Sequence, residues 1–177
     1  TVQDGGTLEL FGDESPTAPT LDSGSTVKYT GDGDSAVDAY TLKDYTYHHL
    51  TIASVDSTDS FATPNATEDA NGNFTLSGGT FTAPTTFTVG GDWAKSGGTF
   101  TSGTNTVTFD GTADQTLNSG GTDTGSDFHH VTMNKSSGTL SLLTNAIDAD
   151  GTLTLTSGTY SPGSLATTAG ALTIDGG

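Results

Sequence analysis

Acidic residues in glycine-containing turns are the first residues of this sequence whose type and spacing could bind a ligand. Asp69-Ala70-Asn71-Gly72 and Asp148-Ala149-Asp150-Gly151 share a D-x-[DN]-G pattern, and Asp32, Asp34 and Asp38 form a third acidic group. Calcium takes several oxygen ligands from one loop, and this pattern is typical of the start of a calcium loop. The later bidentate Glu of an EF-hand is absent, and Asx-Gly turns account for the same residues without a metal. The pattern therefore favours plain turns, with calcium as the alternative, its ligands being Asp69, Asn71, Asp148 and Asp150.

Two histidine pairs could bind a metal ion or respond to pH. His48-His49 follows Tyr47, and His129-His130 follows Phe128. Imidazole is a common metal ligand and titrates near neutral pH. The two pairs are expected to lie about four coils apart, roughly 19 Å at the spacing of neighbouring strands, which is too far to share one ion. We therefore expect one histidine of each pair to pack beside its aromatic neighbour and the other to face solvent.

Two residues could contribute to carbohydrate binding. Trp93 is the sole tryptophan and follows directly after a predicted strand, where an exposed ring could stack on a sugar. A tryptophan packed at a corner of the fold is the favoured alternative. Asn65 lies in the most loop-like of three glycosylation sequons, which begin at Asn65, Asn73 and Asn134. The candidate ligand or glycan residues are thus Trp93 and Asn65.

The residue types that polysaccharide-cleaving β-helix enzymes use are scarce here. The chain has no arginine and only four lysines, which are spread along its length. It has no Asp-Asp pair and no G-x-S-x-G elbow for a nucleophile. It also has no cysteine, which excludes a disulfide or a thiolate metal site. The sequence therefore predicts that the protein is not an enzyme and needs no cofactor, with calcium the one possible exception.

The charge of the chain excludes several classes of partner. With 21 acidic residues and four lysines the formal charge is −17. Nucleic-acid phosphates require Lys and Arg, so binding to nucleic acid is not expected. Anionic membrane surfaces are disfavoured for the same reason, and no apolar run is long enough to insert into a bilayer.

The elements that must position these residues are strands, because one short alternating pattern recurs along the whole chain. An apolar residue, a polar residue (usually threonine) and a second apolar residue form a half-buried strand core. The cores begin at nine positions, and the steps between them are 19, 23, 24, 13, 20, 24, 22 and 19 residues: Leu8, Val27, Leu50, Phe74, Phe87, Val107, Val131, Leu153 and Leu172. Seven of the eight steps suit one turn of a β-solenoid.

This period predicts an all-β parallel β-helix of about nine coils that forms one domain over residues 1–177. The outward threonines between the apolar residues should form a single ladder on one face. Two tandem immunoglobulin-like sandwiches are the alternative, but they would show dissimilar strands and turns every 8–12 residues. The 13-residue step from Phe74 to Phe87 fits the solenoid poorly unless one of the two belongs to another face.

A longer repeat of about 80 residues contains the short one. Tyr47-His48-His49-Leu50 corresponds to Phe128-His129-His130-Val131 at an offset of 81, and Val27 corresponds to Val107 at an offset of 80. The sequence therefore divides into internal repeats at 25–104 and 105–177. In addition, Gly79, Gly98, Gly138 and Gly158 each precede a threonine and an apolar residue, which predicts a glycine-assisted bend on successive coils.

Several of these segments resemble the repeats of large secreted bacterial proteins. They are Asn105-Thr106-Val107-Thr108-Phe109-Asp110-Gly111, Gln115-Thr116-Leu117, Phe128-His129-His130-Val131-Thr132-Met133 and Gly151-Thr152-Leu153-Thr154-Leu155-Thr156-Ser157-Gly158-Thr159. The similarity is to the filamentous-haemagglutinin and autotransporter-adhesin repeats and covers most of the chain from Ser25 onward. It is a likeness of style rather than of a catalytic signature, and histidine pairs stand where those repeats often carry Asn. It implies a right-handed parallel β-helix on the cell surface, with a structural or adhesive role.

The ends of such a stack determine its assembly. Because each coil is completed only by its neighbours, terminal coils expose unpaired backbone and apolar side chains. No atypical capping sequence is visible, so both ends are expected to leave an open edge. We therefore expect an extracellular rod or filament built by head-to-tail stacking of identical chains, or continuation into flanking coils of a longer chain. A segment of a carbohydrate-binding adhesin is the alternative, and a polysaccharide-active enzyme is a weaker one. The assembly residues would be Leu8, Leu10, Leu172 and Ile174.

Overall fold

The computed structural model describes residues 1–14 and 17–176, and this part of the chain contains strands and turns but no helix. Sixteen strands follow one another: β1 (Thr7–Leu10), β2 (Thr26–Tyr29), β3 (Ala39–Thr41), β4 (His49–Ala53), β5 (Ser60–Ala62), β6 (Thr67–Ala70), β7 (Phe74–Gly78), β8 (Thr80–Thr82), β9 (Thr86–Val89), β10 (Trp93–Lys95), β11 (Thr99–Thr101), β12 (Thr106–Phe109), β13 (Gln115–Asn118), β14 (His130–Leu142), β15 (Ile147–Ser161) and β16 (Thr167–Ile174).

The strands wind into a parallel β-solenoid of about eight turns with three sheets. Sheet A contains β1, β2, β4, β7, β10 and β13 and continues through residues 139–142 of β14 and 159–161 of β15. Sheet B contains β6, β9 and β12 and continues through the start of β14, the middle of β15 and the end of β16. Sheet C contains β3, β5, β8 and β11. The chain passes from A to C to B in each turn, and all the pairings between the described strands are parallel, which excludes the antiparallel sandwich alternative.

The alternating pattern decides which side chains enter the solenoid. In β4, Leu50 and Ile52 are fully buried, whereas Thr51 between them is partly exposed. Successive side chains of a strand point to opposite faces. β-Branched residues such as threonine are common in half-buried strands of this kind. The inward side chains form one apolar cluster that runs through the solenoid.

Aromatic residues fill much of this interior because neighbouring strands are in register. Tyr40, Phe61, Phe81 and Phe100 occupy one position on successive strands of sheet C. The Tyr40 and Phe61 rings stack with centroids 5.2 Å apart, and the Phe81 and Phe100 rings at 6.3 Å. Such pairs contribute roughly 0.5–1.5 kcal/mol beyond their burial.

The nine strand cores lie on two sheets rather than one. Leu8, Val27, Leu50 and Phe74 are consecutive partners in sheet A. Phe87 begins a second series in sheet B, followed by Val107, Val131, Leu153 and Leu172. Phe74 and Phe87 therefore lie on different sheets of one turn, which explains the 13-residue step and why nine cores make about eight turns.

The prediction of a single outward threonine ladder is wrong for the same reason. Thr51 and Thr75 pair in sheet A, next to Lys28 on one side and Ala94 on the other. The other threonines form a separate ladder in sheet B, which begins beside Asp69: Thr88, Thr108, Thr132, Thr154 and Thr173.

The long repeat is likewise displaced around the solenoid. Three steps along sheet A lead from β4 to β13, yet the segment that corresponds to β4 is the start of β14, in sheet B. The 80-residue repeat thus equals three full turns and two further sheets, and equivalent residues face different directions. Gly177, the last residue of the second repeat, lies outside the described residues.

The four predicted glycine bends are confirmed as corners with positive φ. Gly79 and Gly98 (φ 71° and 63°) turn the chain from sheet A to sheet C, whereas Gly138 and Gly158 (78° and 95°) turn it from sheet B to sheet A. At Gly98 space is restricted as well, because a Cβ would lie 2.5 Å from the carbonyl oxygen of Gly79. The corner therefore requires glycine both for its dihedral angle and for its contact.

Replacing Gly98 with alanine should destabilise the protein more than the same change at Gly103. Gly103 has a similar φ of 57°, but the nearest atom to an added Cβ is the Asn105 Oδ1, at 3.7 Å. The left-handed backbone alone costs an alanine roughly 1–2 kcal/mol, so Gly103→Ala isolates that contribution. For Gly98→Ala the added backbone clash should raise the loss in unfolding free energy to about 3 kcal/mol or more. Denaturant unfolding measures both, and equal losses would contradict the close approach of these turns.

Candidate functional site

A continuous acidic groove runs along the outside of sheet B, parallel to the solenoid axis. Its largest part is a cavity of about 460 Å³ lined by Asp69, Ala70, Asn71, Thr88, Gly90, Asp110, Gly111 and Thr112. A second part of about 300 Å³ shares Asp69 and Asn71 and adds Asp44, Tyr45, Thr46, Asn65, Thr67 and Glu68. A third part, of about 190 Å³, extends it over Asp44, Tyr45 and Thr46 towards Ala18, Pro19 and Leu21.

Strand register positions the groove residues. Asp69 is in the outward row of sheet B, in register with Thr88 on the next strand. Asn71 lies at the corner after β6, where its Nδ2 donates to the Tyr47 carbonyl at 2.9 Å. Gly90 and Gly111 occupy the equivalent corners of the next two turns, and a Cβ on Gly111 would lie 2.0 Å from the Gly90 carbonyl oxygen. These glycines add no side chains to the groove between Asn71 and Asp110.

A buried polar network supports the groove from inside. The Lys135 side chain is fully buried, and its Nζ donates to the carbonyls of Gly111 and Ala113 and, at 2.6 Å, to the Gln115 Oε1. The Gln115 Nε2 in turn donates to the Val89 carbonyl at 3.0 Å. Burial lowers the pKa of Lys135, against a smaller opposing effect of Asp114 and Asp110. In the sequence Lys135 is one of four scattered lysines, and nothing in its neighbours distinguishes an inward from an outward lysine.

Glu68 is the residue of the groove that sequence reasoning missed. It occupies an inward position of β6, in register with Phe87, and is 6% exposed. Its Oε2 has no hydrogen-bond partner within residues 1–14 and 17–176. Burial raises its pKa to about 7, and Asp44 and Asp69 add to this effect. A carboxyl of this kind holds its proton near neutral pH and can donate it. Glu68 lies two residues before the buried Ala70 on β6, so both side chains point to the same face of the strand. This alternation was the signal that could have shown Glu68 to point inward.

The four residues of the calcium prediction do not come together. Asp69 and Asn71 line the groove with Asp110, whereas Asp148 and Asp150 lie on β15, where they help to raise the pKa of Asp127 after the larger effect of burial. Among the described residues, neither pair belongs to a group of three acidic or histidine ligands within 4.8 Å of one another. In the described part of the chain there is therefore no group of three ligands at the residues predicted to bind calcium, which are Asp69, Asn71, Asp148 and Asp150.

The histidine pairs form two copies of one corner. The Nδ1 of His49 accepts the Asn73 N–H at 2.8 Å, and the Nδ1 of His130 accepts the Thr152 N–H at 3.0 Å. The rings of each pair meet edge to face, with centroids 4.4 and 4.3 Å apart. Burial, followed by His48, lowers the pKa of His49. Each pair thus joins one turn to the next through a ring nitrogen that accepts a backbone N–H. All four histidines are partly buried, so the expectation of one solvent-facing ring is wrong.

Trp93 lies inside the solenoid and cannot stack on a sugar. It is 1% exposed, and its ring lies 4.6 Å from that of Phe74 and 5.0 Å from those of Phe100 and Phe128. It occupies the inward position of β10 that Phe74 and Leu117 occupy on the neighbouring strands. The favoured interpretation of Trp93 as a packed residue is confirmed, and the lesser one, an exposed ring that stacks on a sugar, is wrong. Asn65 is exposed beside the groove, and its Nδ2 donates to the Asp44 Oδ1 at 2.8 Å; its role as a glycan or ligand residue stays a prediction.

The predicted assembly residues differ between the two ends. Leu8 is partly buried and Leu10 is 5% exposed. Leu172 and Ile174 are 60% and 62% exposed, although they are in register with Leu153 and Leu155 on β15. Leu153 is only 3% exposed. Within residues 1–14 and 17–176, no strand pairs with residues 172–174 on the side away from β15.

Comparisons of this chain with known protein families, with curated proteins and with solved structures find no match. No helix that could cross a membrane occurs among residues 1–14 and 17–176.

Replacing Glu68 with glutamine should change how stability depends on pH. The pKa of Glu68 in the folded protein, about 7, lies above its ordinary value of 4.5. The free energy of unfolding should therefore fall as the pH rises from about 4.5 to about 7, and it should change no further above that range. Glu68→Gln cannot ionise, so the difference in unfolding free energy between the variant and the parent should move in the variant's favour over this interval, by roughly 1–3 kcal/mol. Denaturant unfolding at pH 5 and pH 8 measures that difference.

The matched control is Glu9→Gln, because Glu9 is an exposed strand residue whose ion pair with Lys28, at 2.9 Å, lies on the surface. Its effect should be at most about 1 kcal/mol at either pH. If both variants changed stability in the same way with pH, Glu68 would not hold the buried proton.

Proposed function

We propose that this protein is an extracellular structural β-solenoid, a unit of a cell-surface rod or filament that extends by end-to-end stacking of strands. The observation that carries this proposal is the exposed apolar edge at the end of sheet B, where Leu172 and Ile174 are 60% and 62% exposed. An uncovered strand with inward-type apolar residues is a template for another strand.

The two ends are compatible with one continuous winding. The last strand segment, residues 172–174, lies in sheet B, and sheet A follows sheet B along the chain. The first strand, β1, lies in sheet A. A second copy stacked on this end would place its β1 beside residues 159–161, which are the last strand segment of sheet A. Such a contact is heterologous and propagates into a filament. Flanking coils of a longer chain would satisfy the same edges.

The surface of the solenoid supports a structural role. The formal charge is −17, and the outward rows of sheet B are mostly threonine. A charged surface keeps neighbouring rods apart laterally, while contact at the ends buries apolar side chains. The likeness to secreted bacterial adhesin repeats is the basis for proposing the cell surface as the location.

A segment of a carbohydrate-binding adhesin is the second candidate, and the acidic groove favours it. Asp69, Asn71, Asp110 and Asn65 offer acceptors and amide donors along a groove that spans several turns. Side chains of this kind fix polar ligands by hydrogen bonds. The burial of Trp93 removes the aromatic platform that this candidate first relied on.

Charging the exposed end should abolish stacking. Electron microscopy of the purified 177-residue chain should show unbranched fibres with an axial repeat of about 40 Å, which is eight turns at ~4.8 Å each. The double substitution Leu172→Asp with Ile174→Asp should leave only single short rods, because carboxylates would have to be buried in the contact.

Leu143→Asp is the control, since Leu143 is 62% exposed but follows β14, whose residues 139–141 pair with residues 159–161 of the next turn. This variant should form fibres like the parent. Fibres that persist in the double variant would contradict stacking through this edge. Short rods from the parent chain would contradict self-assembly and assign the edge to flanking coils.

A further inference from the structure

Three carboxylates converge at the corner between sheets A and C of the second turn. After β2 the chain turns at Gly31, and the loop that leads to β3 carries Asp32, Asp34 and Asp38. One oxygen atom from each carboxylate lies within 4.8 Å of the other two. Asp32 and Asp34 are exposed and Asp38 is partly buried, so the group is open to solvent on one side.

Asx turns within the loop account for only part of this arrangement. The Asp32 Oδ1 accepts the Asp34 N–H at 3.3 Å, and the Asp34 Oδ1 accepts the Ala36 N–H at 2.7 Å. These bonds are ordinary loop chemistry and need no ligand. They explain the aspartates at positions 32 and 34, but they do not involve Asp38.

The independent observation is a buried aspartate on the next turn, directly beside Asp38. Asp59 is 0% exposed, and its Oδ1 has no hydrogen-bond partner within the described residues. β3 and β5 pair in register from Ala39–Ser60 onward, and the Ser60 N–H donates to the Asp38 carbonyl at 2.8 Å. Asp38 and Asp59 therefore stand at equivalent positions, each one residue before its paired strand.

The carboxylate of Asp59 also reaches the base of the loop. Its Oδ2 accepts the Ser54 hydroxyl at 2.7 Å and would lie 1.9 Å from a Cβ on Gly31, the residue before Asp32. The two loops touch a second time, because the Thr58 hydroxyl donates to the Ala36 carbonyl at 2.7 Å. A fully buried carboxylate with an unpaired oxygen is costly unless a cation or a donor compensates it.

The charges around this corner have one sign. Asp32, Asp34 and Asp38 lie on one loop, and Asp56 and Asp59 lie on the loop that leads to β5 in the next turn. In the part of the chain that the structure describes, the single ion pair is Lys28–Glu9. Lys95 and Lys135 bond to groups elsewhere, and Lys43 lies near Glu14. The corner therefore concentrates negative charge without a protein cation.

We propose that this corner binds a divalent cation of the calcium class through Asp32, Asp34 and Asp38, with the buried Asp59 supporting the site from the next turn. Calcium suits an all-oxygen, partly solvated loop of flexible geometry, whereas zinc sites in proteins are built mainly from His and Cys ligands. The ion would neutralise a corner where acidic side chains of the second and third turns lie close together. The site is separate from the acidic groove and from the exposed end.

Thermal unfolding with and without calcium tests the proposal. Sites on extracellular modules bind calcium with dissociation constants of roughly 0.1–1 mM, so 10 mM calcium chloride should raise the Tm by roughly 4–8 °C over the value in chelator. Sodium chloride at equal ionic strength provides the screening control. Isothermal titration calorimetry should show one binding site per chain.

Two variants locate the site. Asp34→Asn with Asp38→Asn should remove both the Tm rise and the binding heat, whereas Asp148→Asn with Asp150→Asn, in an acidic turn that lacks a three-ligand group, should retain both. Asp59→Asn should raise the Tm in chelator, since it removes an uncompensated buried charge, and should reduce the calcium response. If the parent does not respond, or if the Asp34/Asp38 variant responds as the parent does, the proposal is overturned.

Discussion

In-register stacking of inward side chains on successive turns is the interaction on which the rest of this structure depends. A short strand of three to five residues is not stable alone, but most of the short strands here pair with the turns above and below them. Register places like on like, so Phe61 meets Phe81 and Val107 meets Val131. Burial of each large apolar side chain contributes roughly 1.5–3 kcal/mol. The same register brings Asp38 beside Asp59, so the stacking that builds the core also concentrates charge.

Much of the fold could be predicted because the pattern of alternation is local and repeated. Thr-apolar alternation near a 22-residue period suffices for a parallel solenoid, and positive-φ glycines mark its corners. The period could not show that the strand cores move from sheet A to sheet B between Phe74 and Phe87. The same alternating pattern fits a strand on any of the three sheets of a turn, so it does not identify the sheet. The interior of the solenoid was harder to predict, since a buried Glu68 or Lys135 depends on strand parity, which short strands and irregular corners obscure.

The candidate sites follow from the same geometry. Corners place polar residues of successive turns side by side, as in the acidic groove at Asn71 and Asp110 and in the histidine corners at His49 and His130. The two histidine corners have the same bonds although they lie on different sheets, because the interaction is local to two neighbouring turns. Sequence could place Asp69 and Asn71 in equivalent turns with Asp148 and Asp150, but only the winding shows that these turns face different directions.

Cysteine cross-linking would test the three-sheet winding most directly, because the chain contains no cysteine of its own. Thr88 and Thr108 are partners in sheet B, whereas Thr75 and Thr88 lie on different sheets of one turn. Neighbouring strands are about 4.8 Å apart, within the Cα separation of about 4.4–6.8 Å that a disulfide requires. The Thr88→Cys/Thr108→Cys pair should therefore oxidise to an intramolecular disulfide and the Thr75→Cys/Thr88→Cys pair should not. A disulfide in the second pair and none in the first would contradict the winding described here and restore a single ladder.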